Sequence, residues 1–352
     1  DGECTLIPIC ATAPEDLGEE FSQIPIVEMA RQPSPRNGNW LTNLRNHLPS
    51  ETIEQHLGVW PNAQEHFGDL IIFKADETIT EHLREIALAK LEFNHKSRLV
   101  LLDKGVVGPF RIRDLQPLAA RYQGKILDRN GIIELDEETR TRITSTRVPI
   151  TEYGVTIITD PSVAYYSMRL ANERAQTVSM AITLREKLER PLNIADPYCG
   201  VGPAILQLLR VPGLVDNFIA TDLNPAAVEL LDENLAAISA GQDNRFPTGH
   251  FDALTLVENH DLVRQFDVLL MNLPHDTLDH LPQLLPLLRD SSPTLLRGWV
   301  VLEEAEIPIA EARLGEIIAS MNPNPNSCEL EIRRQYSTTK VLTRFTAQLG
   351  DS

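Results

Sequence analysis

Cysteine is scarce and badly placed for a structural role. The four residues, Cys4, Cys10, Cys199 and Cys328, form no CxxC and have no histidine at metal-ligand spacing. A disulfide scaffold and a structural zinc site are therefore not expected, and a cytoplasmic protein that needs no metal is the default reading. No run of about 18 apolar residues exists, so no membrane span is expected. The first residues, Asp1-Gly2-Glu3-Cys4, lack the basic start and apolar stretch of a signal peptide. Lysine is also rare, with 7 against 25 arginines, and acids outnumber bases by 50 to 32 for a net charge of −18. Proteins that neutralise phosphates usually carry a basic excess, so the composition argues against a nucleic-acid partner. A local arginine patch stays open, because net charge governs solubility and steering rather than one site.

What remains is an ordinary globular composition, 42% apolar and 23% charged over 352 residues. That length suits two domains with a short extra segment. Residues 1–50 are poorly patterned and rich in turn formers at 14–16 and 31–39, which reads as an appendage with at most short helices. Residues 51–145 read as a small α/β domain. Its signals are an apolar run ending at Phe73, helical spacing over Thr78–Glu92, a strand at Arg98–Leu102 and a turn at Gly105–Phe110. The charged stretch Glu134–Arg147 reads as an exposed connector or edge hairpin. Residues 146–352 form the larger domain. A strand at Gly154–Ile158 and a helix over Ala171–Leu188 precede a strand, glycine turn, helix and strand over 193–222. Strands at Asp267–Met271, Gly298–Leu302 and Val341–Ala347 follow, with a helix near Ala310–Met321. Alternating strands and helices predict a doubly wound, mostly parallel sheet across 180–352.

The strongest chemical signal is Asn193-Ile194-Ala195-Asp196-Pro197-Tyr198-Cys199-Gly200-Val201-Gly202-Pro203. An apolar strand ends in an acid and turns through G-x-G into a helix. Twenty residues past Gly202 a second strand ends in Asp222, placed to grip ribose hydroxyls. The third glycine of a dinucleotide fingerprint is missing, and an acid before the turn suits a cation better than a pyrophosphate. The combination points to S-adenosylmethionine, whose methionine end carries an ammonium and a sulfonium. Asp252 sits where such folds place an acid for the adenine amino group. Asn272, in Asn272-Leu273-Pro274-His275, follows a buried strand and projects where cofactor and acceptor should meet. His275 could be a base or a surface histidine near a helix start. Cys199 reads as packing, since no histidine marks it as a nucleophile.

These residues resemble a known family, the archaeal and eukaryotic tRNA guanine-37 N1-methyltransferases and the related wybutosine-pathway aminocarboxypropyltransferases. The likeness runs over about residues 66–345. It rests on Phe67-Gly68-Asp69, Gly108-Pro109-Phe110-Arg111, Glu152-Tyr153-Gly154-Val155, the Ser167–Arg174 stretch (SMRLANER) and Gly200–Pro203. Asp222-Leu223-Asn224-Pro225, Asn272-Leu273-Pro274 and Arg333-Arg334-Gln335-Tyr336-Ser337 complete it in order. The resemblance implies an α/β fold, a Rossmann-like class I methyltransferase sheet with a smaller N-terminal α/β domain. It implies S-adenosylmethionine held by Asp196, Tyr198, Gly200, Gly202, Asp222, Leu223, Asp252 and Asn272. Arg169 and Asn272 become catalytic candidates. A guanidinium at position 169 would stabilise the charge that builds on O6 as N1 of guanine loses its proton, an effect worth about 3–4 kcal/mol. The family's base glutamate lies about four residues ahead of the first strand's acid. Leu192 occupies that place here, which leaves Glu189, with Glu186 further upstream, as the candidate base.

The leading expectation is a monomeric enzyme that methylates N1 of guanosine 37 in tRNA, with Arg111, Arg113, Arg121 and Arg147 on phosphates. The runner-up keeps the scaffold and either takes a small-molecule or peptide acceptor or moves the 3-amino-3-carboxypropyl group. A third reading is a binding module that retained the fold without turnover.

Overall fold

The computed structural model describes residues 39–238, 244–319 and 329–350. Cys4, Cys10 and Cys328, and residues 1–38 of the N-terminal appendage, lie outside them.

The first unit begins with α1 (Trp40–Leu44) and α2 (Ser50–Gln55) and continues into β1 (Gln64–Phe67) and β2 (Leu70–Phe73). Next come α3 (Leu83–Phe93), β3 (Leu99–Val107), β4 (Ile112–Tyr122) and β5 (Lys125–Asp128). The strands form one sheet in the order β1-β2-β3-β4-β5, parallel between β2 and β3 and antiparallel elsewhere. Alternation along these strands sends two sets of side chains to two faces. Ile71, Phe73 and Val100 face one core with Ile86, Ala87 and Leu91 of α3, and Trp40 and Leu44 of α1 complete it. Trp40 and Leu44, read from sequence as appendage, are thus buried in the small sheet's core. Leu70, Ile72, Leu99 and Leu101 face the other way, into a core shared with the larger unit.

Two local readings change. β3 runs on through Val107, so the expected turn narrows to Gly108–Arg111. After α4 (Arg129–Ile133), the stretch expected as a connector or edge hairpin holds α5 (Glu137–Thr144). Asp136 caps α5 by accepting from the Thr139 N–H at 2.9 Å, Glu137 and Glu138 sit at its positive end, and Ile143 anchors it to the shared core. One buried residue in eight gives no apolar stripe, so periodicity could not show this helix.

A hairpin of β6 (Val148–Glu152) and β7 (Val155–Thr159) leads to α6 (Ala171–Leu188). There follow β8 (Leu192–Asp196), α7 (Pro203–Leu209), β9 (Val215–Asp222), α8 (Pro225–Ile238) and β10 (Thr248–His250). β11 (Val268–Met271), α9 (Thr277–Leu284), β12 (Thr294–Glu303), α10 (Ile307–Ala319), β13 (Glu331–Gln335) and β14 (Lys340–Leu349) complete the chain. The seven-stranded sheet has the order β10-β9-β8-β11-β12-β14-β13. β10 through β12 in that order are parallel, and β14 runs antiparallel to both its neighbours. This is the expected doubly wound α/β architecture. Its order reverses between β8 and β11, the place where such sheets open a ligand crevice beyond the strands' carboxyl ends. No described helix is long and apolar enough to cross a membrane.

Candidate active site

A cavity of about 540 Å³ opens at the carboxyl ends of β8, β9 and β11. The turn after β8 forms its base. Gly200 takes φ +57, and its N–H donates to Asp222 Oδ2 at 2.8 Å, while Oδ1 accepts from the Asn224 N–H at 2.9 Å. Asp222 therefore ties the glycine turn to the end of β9. The two glycines do different work. A Cβ on Gly200 would meet only the Tyr165 carbonyl, at 3.6 Å, so the turn stays open to a ligand. A Cβ on Gly202 would come within 2.6 Å of Leu231 Cδ1, so Gly202 serves the packing of α7 against α8. Gly202 does not line the cavity.

Asp196 lies in a recess off this cavity, with Cys199, Pro203, Asn272, Glu173 and Trp299 around it. It is 1% exposed, and its Oδ1 has no hydrogen-bond partner. Burial and then the nearby Asp222 carboxylate push its pKa up to about 7. Burial raises Asp222 as well, against the pull of its backbone donors. Two destabilised acids side by side, one with an orphaned oxygen, describe a place that a cationic ligand would relieve. Burial pushes the Cys199 thiol well up, which leaves it inert as a nucleophile.

Tyr198, Leu223, Asp252 and Asn272 also line the cavity, as the sequence leads one to expect. The Tyr198 hydroxyl pairs with His280 Nδ1 of α9 at 2.7 Å. Asp252 caps the short turn Ala253–Glu258 through the Leu254 N–H. Asn224 donates to the Val163 carbonyl at 2.8 Å and holds the segment bearing Tyr165 and Tyr166 at the cavity wall.

Two catalytic candidates are not brought here. Glu189 is the left-handed cap of α6, exposed at the amino end of β8. A strand rises about 3.3 Å per residue, so the five residues of β8 hold it at the opposite edge of the sheet from the cavity. Glu186 is exposed one turn earlier on the same helix. Arg169 is exposed on the short turn Met168–Leu170 and does not line the cavity. Its neighbour Leu170 points inward, and so does Arg174, four residues on along the same face.

Arg174 is one half of a buried network. Glu152 accepts from Arg174 Nε at 2.9 Å, from Gln207 at 2.9 Å and from the Tyr166 hydroxyl. A second network lies beneath Asn272, where Glu173 of α6 accepts from Arg333 at 2.6 Å and from Arg297 and Arg344 at 3.2 Å. Arg297 is 1% exposed in the middle of β12, and burial brings its pKa down to about 10.

The arginines expected on phosphates are mostly committed. Arg113 pairs with Glu65 and Asp103, Arg121 donates to the carbonyls of Ser97 and Leu91, and Arg147 pairs with Glu233. Arg111 alone of the four lines the cavity. Its Nη2 donates to the Tyr336 hydroxyl at 3.2 Å, and His275 Nε2 lies 3.2 Å from that same oxygen. Arg334 lines the same wall, with its Nε unpartnered. Phe110, Tyr165 and Tyr336 supply aromatic surface there. Sequence reasoning assigns none of Arg334, Tyr336, His280 or Tyr165 a role, although Arg334 and Tyr336 stand in a recognised motif.

Residues 149–294 match the family described as the TRM5/TYW2 methyltransferase domain. The matched segment holds β8 to β11 and the glycine turn, and the small sheet precedes it. The chain is 25% identical over 225 residues to the tRNA (guanine(37)-N(1))-methyltransferase Trm5b of Pyrococcus abyssi, covering 62% of this chain and 56% of that one. It is 27% identical over 176 residues to the Trm5b of Methanocaldococcus jannaschii, covering 48% of this chain and 40% of the relative. The matched stretches thus span about half the length of these curated relatives. In three dimensions the chain resembles the crystal structure of Trm5b from Pyrococcus abyssi (TM-score 0.65, 19% identity, 94% of this chain and 87% of that one). It also resembles TYW2 of P. horikoshii in complex with MeSAdo (TM-score 0.60, 15% identity, 88% and 98%). At these identities the structural likeness carries the fold. Among the described residues, no group of three or more His, Cys, Asp or Glu is arranged to hold a metal ion.

Proposed function

We propose that this chain is an S-adenosylmethionine-dependent methyltransferase that acts on N1 of guanosine 37 in tRNA. The observation that carries the reading is Asp196. Its orphaned, buried carboxylate lies in a recess off the cavity that the Asp222–Gly200 turn, Asn272, Arg111 and Arg334 line. The donor set fits the cofactor. Asp196 would take its ammonium, Asp222 its ribose hydroxyls and Asp252 its adenine amino group, with Tyr198, Gly200 and Leu223 lining the path. When bound, S-adenosylmethionine supplies an electrophilic methyl on a positively charged sulfur.

The chain's own residues supply the rest. Asn272 would hold the edge of the acceptor base. Arg111 and Arg334 would oppose the negative charge that the acceptor gains when it loses its proton. The named activity of the Pyrococcus abyssi relative supports guanosine 37 of tRNA as the acceptor.

The test is incubation with methyl-labelled cofactor and unfractionated tRNA, followed by mass analysis of nucleosides and by-products. The expected result is 1-methylguanosine with S-adenosylhomocysteine. Methylthioadenosine in its place would assign the chain to aminocarboxypropyl transfer. Cofactor binding with no modified nucleoside would remove tRNA as the acceptor.

A further inference from the structure

Removal of Glu189 from the site leaves the reaction without a group to take the acceptor's proton. Of the acids around the cavity, all but Asp276 have another engagement; Asp276, exposed next to His275 on the same rim, is the competitor for the role. Asp196 faces the recess for the cation, Asp222 holds two backbone N–H groups, and Asp252 caps a turn. Glu173 is held by three arginines, and Glu152 by Arg174, Tyr166 and Gln207. His280 is occupied by Tyr198 on the cofactor side. His275 differs in place and partners. It follows Asn272-Leu273-Pro274 directly and sits at the rim of the cavity on the acceptor side. Its ring meets the Tyr336 ring edge-on at 5.6 Å.

We propose, on the methyltransferase reading above, that His275 is the general base of this enzyme and that Tyr336, itself gripped by Arg111, positions its ring. The Tyr336 oxygen accepts from Arg111 at 3.2 Å. With His275 Nε2–H donating to the same oxygen, Nδ1 keeps its lone pair. The step balances. The acceptor's N1–H proton passes to His275 Nδ1, and the N1 electron pair forms the new bond to the methyl carbon. The pair of the broken carbon–sulfur bond stays on sulfur, and the imidazolium then returns its proton to water at the exposed rim. The charged and titratable groups facing His275 are Arg111, Asp276, Lys340 and Tyr336. Burial lowers its pKa below 6.5, with Arg111 and Lys340 acting the same way against Asp276, so the ring is neutral and able to accept a proton at pH 7. Sequence spacing misses this because the family places its base upstream of β8, whereas this base comes after β11.

The experiment is single-turnover methylation of tRNA by the full chain across pH 5–9 at cofactor concentrations that saturate at every pH, with cofactor and tRNA affinities measured in parallel. Wild type is expected to lose rate as pH falls through the His275 pKa. His275→Gln should slow the step by roughly 10²–10⁴-fold and abolish that acidic limb, with both affinities within about threefold. Added imidazole should restore part of the rate to His275→Ala. Tyr336→Phe should shift the limb and lower the rate less. An acidic limb retained in His275→Gln, or lost in Asp276→Asn instead, would overturn the assignment. Wild type that produces no 1-methylguanosine at any pH would overturn the methyltransferase reading itself, a result separate from any effect of the variants.

Discussion

The two walls of the cavity carry opposite signs. The wall built at the ends of β8, β9 and β10 is acidic, with Asp222 and Asp252, and Asp196 stands in the recess off it. The wall built from the β3–β4 turn, the segment after β11 and the β13–β14 hairpin is mainly basic and aromatic, with Arg111, Arg334, His275, Phe110 and Tyr336 alongside the acid Asp276. The contrast shows how little a net charge of −18 says about one site. Arginines 113, 121, 147, 174, 297, 333 and 344 are all spent on local acids or carbonyls. Arg111 and Arg334 keep hydrogen-bonding capacity facing the cavity. Partner accounting, rather than composition, locates the positive surface, and it leaves a few fixed guanidinium groups where a polyanion binder would spread a broad field.

On binding, the largest effect should come from the acidic side. Asp196→Asn removes the charge that would pair with the cofactor's ammonium, a charge-assisted contact of about 1.5–3 kcal/mol, so cofactor affinity should fall roughly 10–150-fold. In wild type the affinity should rise with pH through about 7, because the cation is held by the ionised form. Stability should move the other way. The folded pKa is raised above the unfolded value, so the native state binds more protons between about 4 and 7 and loses stability as pH climbs through that window. The Asp196→Asn variant has no carboxyl at this position to titrate and escapes the loss, so without ligand it should melt a few degrees above wild type at pH 7.5. Calorimetric titration at pH 6 and 8 checks the first claim. An affinity that does not change between them would remove Asp196 as the cation's partner.

Arg111→Ala probes the basic wall and should be milder. We expect the KM for tRNA to rise about tenfold, the loss of one charge-assisted contact, with the cofactor dissociation constant unchanged within about twofold. Because Arg111 helps hold the His275 pKa down, the acidic limb of the rate profile should shift to higher pH in the variant. A weakened cofactor affinity with an unmoved limb would mean that the two walls are not functionally separate.

The two walls also differ in how well the sequence exposes them. The acidic wall is local. Asp196, Gly200 and Asp222 fall within 27 residues of one strand–turn–helix–strand unit, so their spacing reports their geometry. The basic wall is assembled from afar, since Arg111 and Tyr336 meet across 225 positions. No periodicity or spacing rule joins such residues, and only a family's collinear motifs flag them. The fold is legible for the same reason as the acidic wall: α6 and the strands β8, β9, β11, β12 and β14 announce themselves by local pattern, whereas the short β10 and the exposed β13 do not. α5 is not, because its stability comes from a cap and end charges rather than an apolar stripe. Glu189 fails for a topological reason, because sequence proximity to β8 places it at the wrong end of that strand.

The smallest expected effect is the sharpest check on this division. Arg169 is the sequence's preferred oxyanion partner, yet its side chain is exposed while Leu170 and Arg174 turn toward the cavity. An exposed arginine with no cavity contact contributes little to a transition state, since water screens its charge. Arg169→Ala should therefore change single-turnover methylation by no more than about twofold, while Arg334→Ala, on the cavity wall, should cost about tenfold in the same assay. A loss of about 10²-fold or more in Arg169→Ala, with cofactor and tRNA affinities intact, would mean that the turn Met168–Leu170 rearranges when the acceptor enters. The positive charge on the acceptor would then come from the turn that leads into α6 and not from the β13–β14 hairpin.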